Sequence, residues 1–196
     1  MSGISVHDIS RLRGTTGVGI IAAKKALVEA KGDFDKAVEV IRKSGQKVAE
    51  SKMSRVMREG FIGHYVHANG KYAALVVVTC ESDFVSASEP FKELIHDLAV
   101  HVAAANPRYL KPEDVPADVL EKERDIARAQ VADAKKPAAM VEKIVAGKLE
   151  KFYEEHCLLR QTYIKDGSMT VTELVNAAIQ KLGENIQVRE YVRVSL

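Results

Sequence analysis

The sequence predicts an α+β protein with an N-terminal three-helix bundle, a helical linker, and a core in which helices pack on a three-stranded antiparallel sheet. Three observations predict this fold class. Apolar residues recur at helical spacing through the first 46 residues, two apolar runs flank the turn dipeptide Asn69-Gly70, and an alternating apolar run ends the chain. The predicted domains are the bundle at 1–46, the linker at 47–60 and the core at 61–196.

Caps and breaks divide the bundle into its three helices. The boundaries are marked by Ser5 with Asp8 in a capping-box relation, the glycine-rich segment 14–19, Gly32 with the cap Asp33, and finally Gly45. We expect Gly45 to end the third helix. Because a bundle of this size buries few residues, part of its second helix is expected to stay apolar and accessible.

Residues 47–60 are expected to form a helical linker. Its four basic residues are Lys47, Lys52, Arg55 and Arg58. No aromatic residues interleave with these charges, so a solvated connecting helix is favoured over a strip that binds phosphates.

The core begins with a β-hairpin at 61–68 and 71–81, joined by Asn69-Gly70. Four helices are predicted next, over about 88–105, from near Pro116, from Pro137 and over about 170–182. In the last strand, Ile186, Val188, Val192 and Val194 alternate with polar residues and are expected to face the core. Since this strand has no hairpin partner in sequence, it is expected to join the hairpin as a third antiparallel strand.

Composition limits the function classes. A net charge of +2 on 196 residues is too small to indicate nucleic-acid binding by itself. The two cysteines have no metal-ligand spacing, which favours a reduced, cytoplasmic protein. No signal pattern or membrane-length apolar run occurs in the sequence, so no membrane association is expected.

No arrangement of side chains predicts catalysis or a metal site. His64 and His67 are three apart on a predicted strand, so their side chains point to opposite faces. His96 and His101 are five apart on a helix, so their side chains point in directions more than a quarter turn apart. The glycine-rich segment 14–19 follows a helix, which is not the context of a phosphate-binding loop. We expect no enzyme activity, no metal and no cofactor.

The most informative segment is Ser82-Asp83-Phe84-Val85, at the turn from the second strand into a helix. A Phe beside an Asp on such a turn can be presented to a partner protein. The alternative is that Phe84 belongs to the protein's own core and that Asp83 only caps the helix.

Short motifs along nearly the whole chain resemble the elongation factor Ts family. They include Leu12-Arg13, Thr16-Gly17-Val18-Gly19, Lys24-Lys25-Ala26-Leu27, Gly63-His64-Tyr65-Val66-His67, Cys80-Glu81-Ser82-Asp83-Phe84-Val85 and Gly183-Glu184-Asn185-Ile186. The length resembles the short members of that family, which have one core subdomain.

The resemblance implies a UBA-like N-terminal module and a role in translation as a guanine-nucleotide exchange factor that binds the GTPase domain of elongation factor Tu. It implies that Ser82, Asp83, Phe84 and Val85 lead the contact beside the partner's magnesium and phosphate site. Other partner contacts implied by the resemblance are Arg13, Val18, Ile20, Lys24, His67 and Leu182.

The chain departs from the family pattern at several positions. Ser82 stands where Thr is usual, and Ile20 with Ile21 replaces a Met-Met pair. One of these two isoleucines is expected to face the bundle core. The resemblance to short members also implies a homodimer, with Val192 standing where some of them link their subunits through a Cys.

Two other function classes remain open at this point. The basic linker and Tyr65, Tyr72 and Tyr109 would suit an RNA-binding or protein-scaffolding module without exchange activity, although direct nucleic-acid binding is not the expectation. A hydrolase would have to use His67 or Cys80.

Overall fold

Eight α-helices and one three-stranded sheet make up this computed structural model, which describes residues 4–131 and 137–196. The helices are α1 (Val6–Thr16), α2 (Ile20–Glu29), α3 (Phe34–Lys52), α4 (Asp83–Ala87), α5 (Glu89–Ala105), α6 (Ala117–Ala129), α7 (Ala138–His156) and α8 (Val171–Leu182). The strands are β1 (Glu59–Val66), β2 (Tyr72–Cys80) and β3 (Gln187–Ser195). The predicted α+β class is confirmed, and no helix in the described ranges is long and apolar enough to cross a membrane.

The N-terminal bundle has the predicted caps. The Ser5 hydroxyl accepts from the Asp8 N–H at 3.0 Å, while the Asp8 carboxylate accepts from the Ser5 N–H at 3.3 Å. Helix α1 continues through residue 14 and ends at Gly17, whose φ of 71° is the left-handed conformation of a helix C-cap. Leu12, Ala23, Ala26, Leu27, Ala37 and Ile41 are buried in the core of the bundle.

The expectation that Ile20 or Ile21 faces this core is wrong. They are 59% and 74% exposed, because the small side chains of Ala23 and Ala26 form the inward face of α2 together with Leu27. The start of α2 therefore presents two adjacent branched apolar side chains to solvent.

Gly45 does not end the third helix, which is a second correction. Helix α3 runs without a break from the bundle to Lys52, and only residues 53–58 of the expected helical linker are non-helical before β1. A Cβ at Gly45 would lie 3.2 Å from Gln180 Oε1 and 3.7 Å from the Asn176 carbonyl oxygen. The glycine thus allows α3 to pack closely against α8, and this helix pair joins the bundle to the core.

The sheet has the predicted order β1-β2-β3, antiparallel throughout. The alternation in β3 changes phase, however, because an irregularity in register leaves Arg189 without a partner between Val188 and Glu190. A bulge of one residue moves every later side chain to the opposite face. Val192 and Val194 are consequently 55% and 62% exposed, so the expectation that they face the core is wrong.

Helix α5 covers the inner face of the sheet, where Ala74, Val76 and Val78 pack with Phe91, Ile95, Leu98 and Val102. Helix α8 contributes to the same core. Gly63 of β1 lies directly against Ile95 of α5. On the other side, the structure shows a surface that we call the outer sheet face. Its exposed side chains are those of Ile62, His64, Val66, Leu75, Glu190, Val192 and Val194.

His101 of α5 is fully buried and held in its neutral form. Its Nδ1 accepts from the Ile164 N–H at 3.2 Å, and its Nε2 lies 3.0 Å from Gln161 Oε1. The Gln161 amide nitrogen donates to the Glu155 carbonyl at 2.7 Å, which turns the amide oxygen toward the imidazole. Burial lowers the pKa of His101, because the charged imidazolium would lose its hydration, and the hydrogen bond with Gln161 opposes this shift only in part.

Acidification is expected to destabilise the fold, with His101 as one cause. In the unfolded chain the imidazole has an ordinary pKa of about 6.5, whereas in the folded protein the pKa is lower. As the pH falls through about 6.5, the imidazole takes up a proton in the unfolded state but not yet in the folded state. The free energy of unfolding therefore decreases from about pH 6.5 down to the lowered pKa of the folded protein. Urea unfolding between about pH 7.5 and 5 measures this slope.

The matched control for this prediction is His7, which lies exposed on α1. His101→Gln should flatten the pH dependence of the free energy of unfolding, whereas His7→Gln should leave it as in the wild type. Equal slopes in all three proteins would remove His101 as a cause.

Candidate functional site

The turn between β2 and α4 presents an aromatic and an acidic side chain to solvent. The Ser82 hydroxyl accepts from the Val85 N–H at 3.4 Å, and the Ser82 carbonyl accepts from the Ser86 N–H at 3.1 Å, so the first turn of α4 is capped. Val85 points into the core, while Asp83 and Phe84 point outward. We call residues 82–85 the 82–85 turn.

Phe84 is 85% exposed, which excludes the alternative that it belongs to the protein's own core. Exposing the apolar surface of a large aromatic side chain to water is unfavourable. Covering that surface with a partner protein is therefore favourable. Since packing does not hold the ring, its position depends on the backbone of the 82–85 turn.

A network of polar contacts lies behind this turn. Glu184 accepts from the N–H groups of Glu81 and Ser82, both at 3.0 Å. In the reverse direction, the Glu81 carboxylate accepts from the Asn185 N–H at 2.6 Å, and this contact is the main cause that lowers the pKa of Glu81. Arg55 also lies 3.4 Å from Glu81. The loop after α8 is thereby joined to the end of β2.

Leu182 lies at the same end of the sheet as the 82–85 turn, two residues before Glu184. Its side chain is only half-buried and packs against the edge of the main core. The structure thus brings Leu182 and the turn into one region.

His67 lies at the opposite end of the sheet. It follows β1 at the hairpin loop, where its N–H donates to the Tyr72 carbonyl at 2.9 Å, and its Nδ1 lies 3.0 Å from the Tyr65 hydroxyl oxygen. The nine residues of β2 separate this loop from the 82–85 turn, a span of about 26 Å at the rise of an extended strand. His67 is exposed, but the structure does not bring it together with Phe84.

The four predicted contact residues of the bundle do not all form its surface. Arg13, Ile20 and Lys24 are exposed. Val18 is only 5% exposed and packs inside the bundle, so the prediction that its side chain contacts a partner is not supported. The accessible surface is instead extended by Ile21, which the sequence offers as one of two candidates for the bundle core.

Sequence reasoning also missed Glu184 as part of the site. The motif Gly183-Glu184-Asn185-Ile186 carries part of the family resemblance, but that resemblance implies a partner contact only for the preceding Leu182. The polar pair Glu184 and Asn185 between a helix and a half-buried strand is the available signal, because polar residues at such a position must satisfy neighbouring backbone groups.

The described residues offer little for catalysis. No three His, Cys, Asp or Glu side chains among residues 4–131 and 137–196 are close enough to hold a metal ion. Burial raises the pKa of the Cys80 thiol to about 11, and the negative charge of Glu184 adds to this shift. A thiol with that pKa is protonated near neutral pH and is a poor nucleophile.

Comparison with known proteins gives one consistent result. The family model described as Elongation factor TS matches residues 20–196. The elongation factor Ts of Pseudothermotoga lettingae is 52% identical over 191 residues, covering 97% of this chain and 96% of that protein. That of Moorella thermoacetica is 49% identical over 190 residues, covering 97% of this chain and 94% of that protein. That of Thermotoga maritima is 51% identical over 193 residues, covering 98% of this chain and 96% of that protein.

Proposed function

The chain belongs to the elongation factor Ts family and is a translation elongation factor, and from this premise we propose that it is the guanine-nucleotide exchange factor of elongation factor Tu. In this proposal it binds the GTPase domain of elongation factor Tu·GDP and promotes GDP release by disturbing the magnesium and phosphate site. The observation that carries the proposal is the exposure of Phe84 on a capped strand-to-helix turn.

The proposed mechanism is thermodynamic linkage. A GTPase holds its nucleotide partly through phosphate and magnesium contacts, so a protein that binds best when those contacts are disturbed must weaken nucleotide binding by the same factor. Asp83 and Phe84 can enter the partner without any rearrangement of this protein's core, since both are already exposed. The step uses binding energy alone, and no covalent bond is made or broken.

Phe84 does not supply the whole effect. Burying one such side chain contributes ~1.5–3 kcal/mol, equivalent to roughly 10- to 150-fold in an equilibrium constant. The bundle offers a second contact surface, in which Ile20 and Ile21 stand beside the basic side chain of Lys24 on α2. Its apolar residues can bind the same GTPase domain, while the charge of Lys24 can orient the bundle on that domain.

The test is to mix the protein with elongation factor Tu loaded with a fluorescent GDP analogue and to follow nucleotide release by stopped flow. We expect release to accelerate with protein concentration and then to saturate. Release at the intrinsic rate at every concentration would contradict the exchange function.

The RNA-binding alternative receives less support from the contacts. Two of the linker's basic side chains are engaged within the protein, Lys52 with the Gly183 carbonyl and Arg55 with Glu81. Tyr109 is partly buried against a small apolar cluster with Val115 and Phe152, which covers part of its ring. Affinity for RNA that falls steeply with added salt would revive this alternative.

A homodimer formed through the outer sheet face is a further part of the proposal. Exposed aliphatic side chains from all three strands lie side by side there, and in the middle row His64, Leu75 and Val192 are neighbours. Apolar patches of this kind on a sheet are favourable interfaces because a second sheet removes them from water.

Val192→Glu is expected to weaken self-association at least about 10-fold, because the interface would have to bury a carboxylate. Sedimentation velocity over a concentration series measures the effect. Val56→Glu places the same charge at an exposed valine outside the sheet and should leave self-association unchanged. A wild-type protein that stays monomeric at every concentration would contradict the homodimer.

A further inference from the structure

Glu184 contacts the backbone that leads into the 82–85 turn from a distant part of the sequence. Its Oε2 accepts from the N–H groups of Glu81 and Ser82 at 3.0 Å each, and its Oε1 accepts from the Ser82 hydroxyl at 2.5 Å. These three donors lie just beyond the last residue of β2, where pairing with the neighbouring strands has ended. One carboxylate thus supplies the acceptors that the sheet no longer provides.

The Ser82 hydroxyl passes this constraint on to the turn itself. It donates to Glu184 and at the same time accepts from the Val85 N–H at 3.4 Å, so one oxygen connects the carboxylate to the first turn of α4. Phe84 lies in the sequence between Ser82 and Val85, the two residues that these hydrogen bonds hold in place. Its own side chain is exposed and is not held by packing.

Glu184 is itself held in place. Gly183 takes a φ of 79° as the C-cap of α8 and donates to the Ile179 carbonyl at 2.9 Å. The Lys52 ammonium of α3 donates to the Gly183 carbonyl. On the other side of Glu184, the buried Asn185 donates its side-chain amide to the Arg55 carbonyl at 3.2 Å. The carboxylate is therefore mounted on a loop that is fixed from both sides.

We propose that Glu184 is a positioning residue for nucleotide exchange, holding the 82–85 turn in the geometry in which Asp83 and Phe84 enter the partner. An exposed anchor that is fixed before binding loses less conformational freedom on binding than one that must be ordered by the partner. This inference rests on the proposed exchange function.

The test compares the release of fluorescent GDP from elongation factor Tu with wild-type protein, Glu184→Ala, Glu184→Gln and Glu121→Ala. Glu184→Ala should lower the maximal release rate roughly 10-fold, while the concentration for half-maximal effect changes less than about three-fold because the bundle contacts remain. Glu184→Gln should recover most of the rate, since its oxygen can serve both N–H groups and its amide nitrogen can donate to the Ser82 hydroxyl. Glu121 is an exposed glutamate on α6, and its removal should have no effect.

A double-variant comparison separates positioning from general stability. If Glu184 acts through the turn, then Glu184→Ala should cause a clearly smaller fold-loss in a Phe84→Ala background, where only the placement of Asp83 remains to be lost. An equal fold-loss in both backgrounds would overturn the inference. A normal rate for Glu184→Ala beside a slow Phe84→Ala would also overturn it and leave the exchange function standing, whereas release at the intrinsic rate with the wild-type protein would overturn the exchange function itself.

Circular dichroism checks that each variant is folded. If Glu184→Ala is not, Glu184→Asp takes its place with the same expectations, because it keeps the charge but shortens the reach of the carboxylate by about 1.5 Å.

Discussion

Replacing Phe84 with alanine is expected to slow the accelerated release of GDP from elongation factor Tu by roughly 10- to 150-fold. This range corresponds to the ~1.5–3 kcal/mol that burial of the ring in the partner contributes. The free energy of unfolding should hardly change, because 85% of the side chain is already exposed in the free protein. Stopped-flow release and thermal unfolding, measured on the same preparations, test both halves of this expectation.

Ile126→Ala is the control, since Ile126 is another exposed large apolar residue but lies on α6, which packs against α7. It should leave nucleotide release unchanged. Release at the wild-type rate by Phe84→Ala would mean that the ring does not act as the anchor. A loss of several kcal/mol of stability would instead mean that the ring supports the fold.

Gly63→Ala is expected to destabilise the protein by about 3 kcal/mol, the upper part of the range for overpacking a core. A Cβ at this position would lie 2.2 Å from Ile95 Cγ2 and 3.4 Å from the Ile95 backbone carbonyl carbon. Helix α5 would have to move away from β1, and the inner face of the sheet would lose its close packing. Denaturant unfolding at fixed pH measures the change.

Two comparisons make this prediction specific. In an Ile95→Ala background, where the space is empty, Gly63→Ala should cost far less, so the two effects should not add. Gly147→Ala in α7 meets no atom within 4 Å and should stabilise the protein by about 0.5–1 kcal/mol. An equal cost of Gly63→Ala in both backgrounds would mean that close packing on Ile95 is not the reason for the glycine.

The sequence predicts the helix caps and the strand order correctly, because interactions between residues close in sequence determine these features. The capping pair Ser5 and Asp8, the C-cap before α2 and the order of the three strands all follow from short-range chemistry and from strand connectivity. The errors occurred where distant packing decides. Gly45 resembles a helix end in sequence, but the approach of α8 is what requires it. The unpaired Arg189 leaves no signal in an otherwise regular alternation.

The candidate site shows the same division. The position of Asp83 and Phe84 on a strand-to-helix turn is evident from the sequence. Which of the two neighbouring apolar residues, Phe84 or Val85, points inward depends on how α4 meets the core. The contact of Glu184 with Ser82 joins residues that are 102 positions apart, and no local rule predicts it.

The uninterrupted course of α3 sets the relative orientation of the two proposed binding surfaces. It begins in the bundle that carries Ile20, and its last residue, Lys52, reaches the loop beneath the 82–85 turn. Each residue of an α-helix adds 1.5 Å and about 100° of rotation. One residue gained or lost in the middle of α3 would therefore swing the isoleucine pair sideways as well as along the axis. The number of residues in this helix therefore fixes both the distance and the rotation between the two proposed binding surfaces. The irregular stretch 53–58 sets no such fixed distance or rotation.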